Sequence, residues 1–113
     1  MKKILVLLLL AALLLACVPA LAASYVPGTY TESADGLYGP VTLAVTTTEN
    51  AIAAIKVVSQ GETAGLGDVA IEKVVADMIA ANSADVDSVT NATISSEAAK
   101  AAVAAALARA EKG

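Results

Sequence analysis

The chain has 113 residues, 58% of them hydrophobic and only 3% aromatic, with a formal net charge of −4. It has no histidine and a single cysteine, Cys17, which excludes a His-based triad, a His-ligated zinc or haem and a disulfide framework, and removes the commonest general base at neutral pH. A self-sufficient hydrolase is therefore not expected, and an acidic chain with neither Trp nor Phe is a poor partner for nucleic acid, whose phosphates repel it and whose bases find no stacking platform.

Lys2 and Lys3 precede an unbroken apolar run from Ile4 to Leu15, about the length of a secretory h-region and shorter than the roughly 20 residues of a spanning helix. Pro19 interrupts any extension of that run, and Ala20-Leu21-Ala22 supplies the small-x-small pattern read by a signal peptidase. Cleavage is expected after Ala22, which divides the chain into a secretion signal, residues 1–22, and one small extracytoplasmic domain, residues 23–113. Leu14-Leu15-Ala16-Cys17 also resembles a bacterial lipobox, so a lipoprotein acylated at Cys17 and anchored to the membrane is the alternative reading, and an uncleaved anchor is the third. Beyond Ala22 no thiol remains as nucleophile or metal ligand, and five cations (Lys56, Lys73, Lys100, Arg109, Lys112) face eleven acids, a net charge of −6 that favours solubility.

The domain begins with Tyr25-Val26-Pro27-Gly28, turn chemistry that leads into a β-rich half. Thr29 to Glu32 suits a short strand, and Ser33 to Gly39, with its Asp35-Gly36 pair, suits a turn. Val41, Leu43 and Val45 alternate with Thr42, Ala44 and Thr46, the period-2 pattern of a strand with one buried face. Glu49-Asn50 then turns the chain, with Asn tolerating positive φ, and Ala51 to Ser59 returns antiparallel with Ala53, Ile55 and Val57 on one face. From Asp68 the period becomes 3.6: Ile71, Val74, Val75, Met78 and Ile79 form the apolar stripe of a helix that ends at Asn82-Ser83. Met78 on that stripe is core filling. Val86 to Val89 reads as a short strand, and Ser95 or Ser96 as the cap of a final Ala-rich helix, with Glu97 near its positive end and Ala99, Val103 and Leu107 on its buried side. The class is α+β: a small antiparallel sheet with a β-hairpin core, packed with two α-helices.

Two connections carry candidate chemistry. Glu62-Thr63-Ala64-Gly65-Leu66-Gly67 runs into the first helix, where glycines permit close backbone approach and a helix start offers N–H groups to an anion. In Asp87 to Ser96, hydroxyls gather before the second helix, where they and free N–H groups could surround a phosphate. Asn91-Ala92-Thr93 also matches the N-glycosylation pattern, for which the bacterial style of the leader gives no support.

Asp87 and Thr90-Asn91-Ala92-Thr93 resemble the Asp-x-x-(Ser/Thr)-Gly-Ala-(Ser/Thr) flavinylation motif of the FMN-binding domain family, which includes flavinylated domains of the sodium-translocating NADH:quinone reductase and of the Rnf electron-transport complex. Glu62 to Gly67 resembles that family's Glu-Thr-Pro-Gly-x-Gly segment, and Gly36-Leu37-Tyr38-Gly39-Pro40-Val41 its Gly-aromatic-Gly turn and strand. The resemblance implies FMN as cofactor, placed from FAD by a flavin transferase through a phosphoester on the hydroxyl of Thr93. It further implies that Asp87 positions or recognises, that Thr90, Asn91 and Ala92 shape the turn, and that Glu62, Thr63, Gly65, Leu66, Gly67 and Tyr38 line the flavin. Asn91 stands where the family usually has Gly, and Ala64 where it has Pro; Asn is the least costly replacement if that position is left-handed. The implied activity is that of an electron carrier rather than a stand-alone enzyme, working with extracytoplasmic or membrane redox donors and acceptors. A noncovalent flavin or small-ligand module is the rival from another class, and a surface protein without cofactor is the third.

Overall fold

A computed structural model of the chain describes residues 24–112. The expectations about Lys2, Lys3, Cys17 and cleavage after Ala22 lie outside these residues. Three strands, β1 (Gly28–Asp35), β2 (Pro40–Thr47) and β3 (Ile52–Ser59), precede two helices, α1 (Gly67–Ala81) and α2 (Thr93–Ala110). The strands form an antiparallel sheet in the order β1-β2-β3, and the helices pack with it: α2 lies on β1 and β2, and α1 packs against α2 and β3. This is the expected α+β class.

Strand β2 forms the centre of the sheet because its period-2 pattern puts three aliphatic side chains on one face. Val41, Leu43 and Val45 are completely buried, each contributing about 1.5–3 kcal/mol. On the other face the polar alternates pair across strands, Thr29 with Thr46 at 3.0 Å and Ser33 with Thr42 at 2.6 Å between hydroxyl oxygens. Strand β1 is longer than expected. Its pairing with β2 continues to Asp35 opposite Pro40, and the turn shrinks to Gly36–Gly39, closed by the Gly36 N–H donating to the Gly39 carbonyl at 2.7 Å.

The β2–β3 turn closes with the Thr48 N–H donating to the Ala51 carbonyl at 2.9 Å, and Asn50 does not take a positive φ. A register shift follows: Ala54 pairs with Thr46, but Ile52 pairs with Thr47, which leaves Ala53 as the extra residue of a bulge. Ile52 therefore reaches the core and Ala53 is exposed, so the buried face of β3 is Ile52, Ile55 and Val57 instead of Ala53, Ile55 and Val57.

Helix α1 buries Ile71, Val74 and Met78 as its periodicity dictates, while Val75 is half-buried and Ile79, also expected on the stripe, is exposed. Helix α2 buries Ala98, Ala99, Ala102, Val103, Ala106 and Ala110, and these small side chains let its axis approach the sheet closely. Val86 to Val89 does not form a strand. The segment crosses from α1 to α2 without pairing to the sheet, and Val86 and Val89 instead pack against the core as isolated side chains.

Asn82 ends α1 in the left-handed conformation, at φ 55°. Its Oδ1 accepts the Ile52 N–H at 2.7 Å and its Nδ2 donates to the Asn50 carbonyl at 3.1 Å, tying the helix end to the β2–β3 turn. Asn82→Ala strands two backbone groups and adds strain at φ 55°, and is expected to cost about 1–3 kcal/mol, read as a lower urea midpoint at unchanged m. Beside the same turn, Tyr25 is buried, donates its N–H to the Glu49 carbonyl at 2.7 Å and bridges Glu111, while on β1 Glu32 pairs with Arg109 at 2.6 Å and the Arg109 guanidinium lies over the Tyr30 ring. The entry segment, read as a simple turn in the sequence, is thus held by the end of α2. Among the described residues no helix is long and apolar enough to cross a membrane.

Candidate functional site

Glu62 is a carboxylate with only 7% exposure, and a buried carboxylate must be hydrogen-bonded to stay charged. Its Oε1 accepts the Leu37 N–H at 2.7 Å and the Ser95 hydroxyl at 2.5 Å, and its Oε2 accepts the Tyr38 N–H at 2.9 Å. Burial alone would push its pKa up, but the bonds from Ser95, Leu37 and Tyr38 together outweigh it and hold the carboxyl below the usual range. One side chain thereby joins three segments far apart in sequence: the Gly36–Gly39 turn, the 62–67 loop and the start of α2.

The two helix starts behave oppositely. At α1 the backbone donors are already used: the Thr63 carbonyl accepts the N–H groups of Leu66 at 3.1 Å, Gly67 at 2.8 Å and Asp68 at 3.4 Å, and Asp68 Oδ1 accepts those of Gly65 and Val69 at 2.7 Å each. The expected anion-binding donors at that start are therefore not free. At α2 the N-cap is Ala92, with no side-chain cap. Ser95 and Ser96, expected as caps, lie inside the first turn and are buried; Ser95 donates to Glu62, and Ser96 Oγ accepts the Val89 N–H at 3.0 Å. Among the described residues no acceptor meets the N–H of Thr93, Ile94 or Ser95. These are the orphan donors of a helix start, at the positive end of an 18-residue dipole.

Thr90 and Asn91 are the central residues of the preceding turn, closed by the Ala92 N–H donating to the Val89 carbonyl at 3.1 Å. Asn91 has φ 69° and Thr90 does not have a positive φ, the signature of a type II turn. The left-handed geometry that makes Asn an acceptable stand-in for Gly is thus present. Asn91→Gly is expected to change stability by less than about 1 kcal/mol, and Asn91→Val to lower it by about 1–2 kcal/mol through left-handed strain, both read from denaturant midpoints.

A cleft of about 260 Å³ opens where these segments meet, lined by Leu37 of the first turn, by Thr63, Leu66 and Gly67, and by the start of α2 from Asn91 to Ser95. That volume is below the roughly 300–1,000 Å³ of sites that enclose a whole ligand. A cleft of that size has room for one end of such a ligand, with the rest on its rim. The rim is apolar: Leu37, Leu66 and Ile94 are 51%, 46% and 53% exposed, large hydrophobic surface that folding has left in solvent beside polar donors.

Of the residues expected at the site, Thr63, Leu66, Gly67, Asn91, Ala92 and Thr93 line the cleft. Glu62 is buried against the Gly36–Tyr38 turn and Ser95 and is absent from the lining; Gly65, at φ 78°, shapes the loop. Tyr38 contributes its N–H to Glu62, and the residue, 66% exposed, lies outside the lining. Thr90 is exposed in the turn, and Asp87 lies in a separate shallow groove with Asp77 and Ala81. Leu37, Ile94 and Ser95 were not singled out for the site from the sequence. The signal for Leu37 and Ile94 was an apolar side chain in a turn or first helical turn with no stripe to join, whereas Ser95 stood out only as a hydroxyl near the helix start, with nothing local to show its bond to Glu62.

The described residues hold no group of three or more acidic, Cys or His side chains arranged for a metal ion. No curated protein matches the chain. A family model for the FMN-binding domain matches residues 36–108, from the first turn through most of α2.

Proposed function

The chain belongs to the FMN-binding domain family, and we propose that it is an exported flavoprotein that holds FMN covalently through a phosphoester at Thr93 and serves extracytoplasmic electron transfer. The residues present suit that cofactor. Its anionic phosphate end matches the three unpaired N–H groups of Thr93, Ile94 and Ser95, and the faces and dimethylbenzene end of its flat ring system match the exposed Leu37, Leu66 and Ile94 at the rim. The observation that carries the covalent reading is the placement of Thr93 itself. Its exposed side chain stands on the first residue of α2, at the cleft, among the donors that would neutralise a phosphoester.

FMN when bound supplies one- and two-electron redox chemistry; the protein supplies attachment, orientation and electrostatics. Among the described residues Glu62, the carboxylate that bonds Ser95 two positions on, is committed to Ser95, Leu37 and Tyr38 and is not placed to activate Thr93. Deprotonation therefore falls to a flavin transferase. In that step Thr93 Oγ1 would give its proton to a base of the transferase and accept the FMN phosphoryl group of FAD, with AMP as the leaving group. Visible flavin absorbance that stays with the polypeptide after denaturation is the expected result. Colour released on denaturation would support the noncovalent module, and a colourless protein purified from a host with a flavin transferase would remove the redox reading.

Export is supported by Lys2, Lys3, the Ile4–Leu15 run and Ala20-Leu21-Ala22. N-terminal sequencing of the mature protein is expected to begin at Ala23. A lipid-modified Cys17 at the terminus would replace secretion by membrane anchoring, and a product starting at Met1 would exclude cleavage.

A further inference from the structure

We propose that Glu62 is the positioning residue of the flavin site, acting from beneath the cleft as a bracket that sets the Leu37 wall against the first turn of α2. The inference rests on the flavin reading above, but it assigns Glu62 a different role from the direct flavin contact that the family resemblance implied. Three observations carry it. The carboxylate receives three hydrogen bonds, two from the turn and one from Ser95, so both of its oxygens are engaged by protein donors. The surrounding backbone is cut to fit it: a Cβ on Gly36 would stand 2.5 Å from Glu62 Oε1, and one on Gly67 would stand 2.6 Å from Glu62 Cβ and 2.9 Å from Ser95 Oγ. Finally, Ser95 donates to Glu62 from within the first turn of α2, so the bond fixes the turn whose N–H groups stay open because Ala92, as N-cap, has no side-chain oxygen to accept them.

A glutamine cannot replace this carboxylate. It offers one acceptor oxygen, and its amide N–H₂ would face donors. In coexpression with a flavin transferase, Glu62→Gln is expected to slow modification of Thr93 about tenfold or more per folded molecule, as displacement of a reacting group by an ångström does, with intact mass as the readout. Met78→Ala is the control: it destabilises the fully buried core of α1 without touching the cleft, and should be modified at the parent rate. Equal loss in both variants makes Glu62 a stability residue only, and the parent rate in Glu62→Gln also overturns the proposal. Should Glu62→Gln not fold, Ser95→Ala, which cuts the arm to α2 and keeps every backbone N–H at the cleft, carries the same comparison with Met78→Ala. If the parent itself is never modified, covalent attachment fails, and Glu62 is decided by titrating nitrogen-labelled protein with free FMN. Amide shifts at Thr93, Ile94 and Ser95 that are present in the parent and lost in Glu62→Gln support the bracket; equal shifts in both, or none in the parent, overturn it.

Discussion

Thr93→Ala is expected to abolish covalent FMN completely, whereas Thr93→Ser should retain a substantial part of it. A phosphoester needs a hydroxyl oxygen. Thr93 presents one on the first residue of α2, at the cleft and beside the unpaired N–H groups of Ile94 and Ser95. Other hydroxyls nearby are less suited: Ser95 and Ser96 are buried and engaged with Glu62 and the Val89 N–H, and Thr63 belongs to the loop before α1, whose backbone donors are already consumed. Because Thr93 is exposed and makes no side-chain hydrogen bond among the described residues, its loss should leave the unfolding midpoint almost unchanged, within the roughly 0.5 kcal/mol of ordinary surface substitutions. A folded but uncoloured Thr93→Ala protein is thus the expected outcome, and a variant that still gains the mass of one FMN less one water would sink the assignment. Thr90→Ala provides the comparison. It alters the first central position of the turn without removing the attachment oxygen, so it should lower the modified fraction without eliminating it. If the parent remains unmodified under conditions that modify a related domain, Asn91 is the departure to test, and Asn91→Gly should then restore modification.

Gly67→Val is expected to have the largest effect on stability. The sequence alone suggested that the glycines of this loop permit close approach to a cofactor; the structure shows that protein atoms already occupy that space at Gly67. A Cβ there would lie 2.6 Å from Glu62 Cβ and 2.9 Å from Ser95 Oγ, and valine adds two further carbons. Overpacking of this kind costs about 1–3 kcal/mol or more, and displacing Glu62 from its donors adds a further penalty of about 1–3 kcal/mol for buried polar groups left unpaired. For a domain of this size the Tm should fall by about 10 °C or more. Flavin content should fall with it, through the bracket rather than by collision with the flavin. Gly65→Ala separates the two kinds of glycine: no atom lies within 4 Å of its added Cβ, but its φ is 78°, so the cost should be limited to about 1–2 kcal/mol of left-handed strain. Thermal unfolding of both variants decides the point, and a parent-like Tm for Gly67→Val would contradict the close approach.

The elements whose burial repeats along the chain were legible in the sequence. Alternation placed Val41, Leu43 and Val45 on the inner face of β2, the 3.6-residue period placed Ile71, Val74 and Met78 on the inner face of α1, and all six are buried. Asn91 was legible for a related reason, since a left-handed residue other than Gly has few candidates. These are local properties, set by the backbone geometry of a few consecutive residues. The bulge at Ala53, the extension of β1 to Asp35 and the unpaired course of Val86 to Val89 were not legible, because each depends on which backbone groups of another segment come within bonding range. The same holds at the site. Thr93 and the loop glycines could be picked out from their motifs, but only tertiary packing decided that the donors of α1 are consumed, that those of α2 stay open, and that Glu62 supports the cleft from below. Burying a carboxylate requires donors, and its three come from Leu37, Tyr38 and Ser95, residues that no local period connects and that only the folded chain brings to one point.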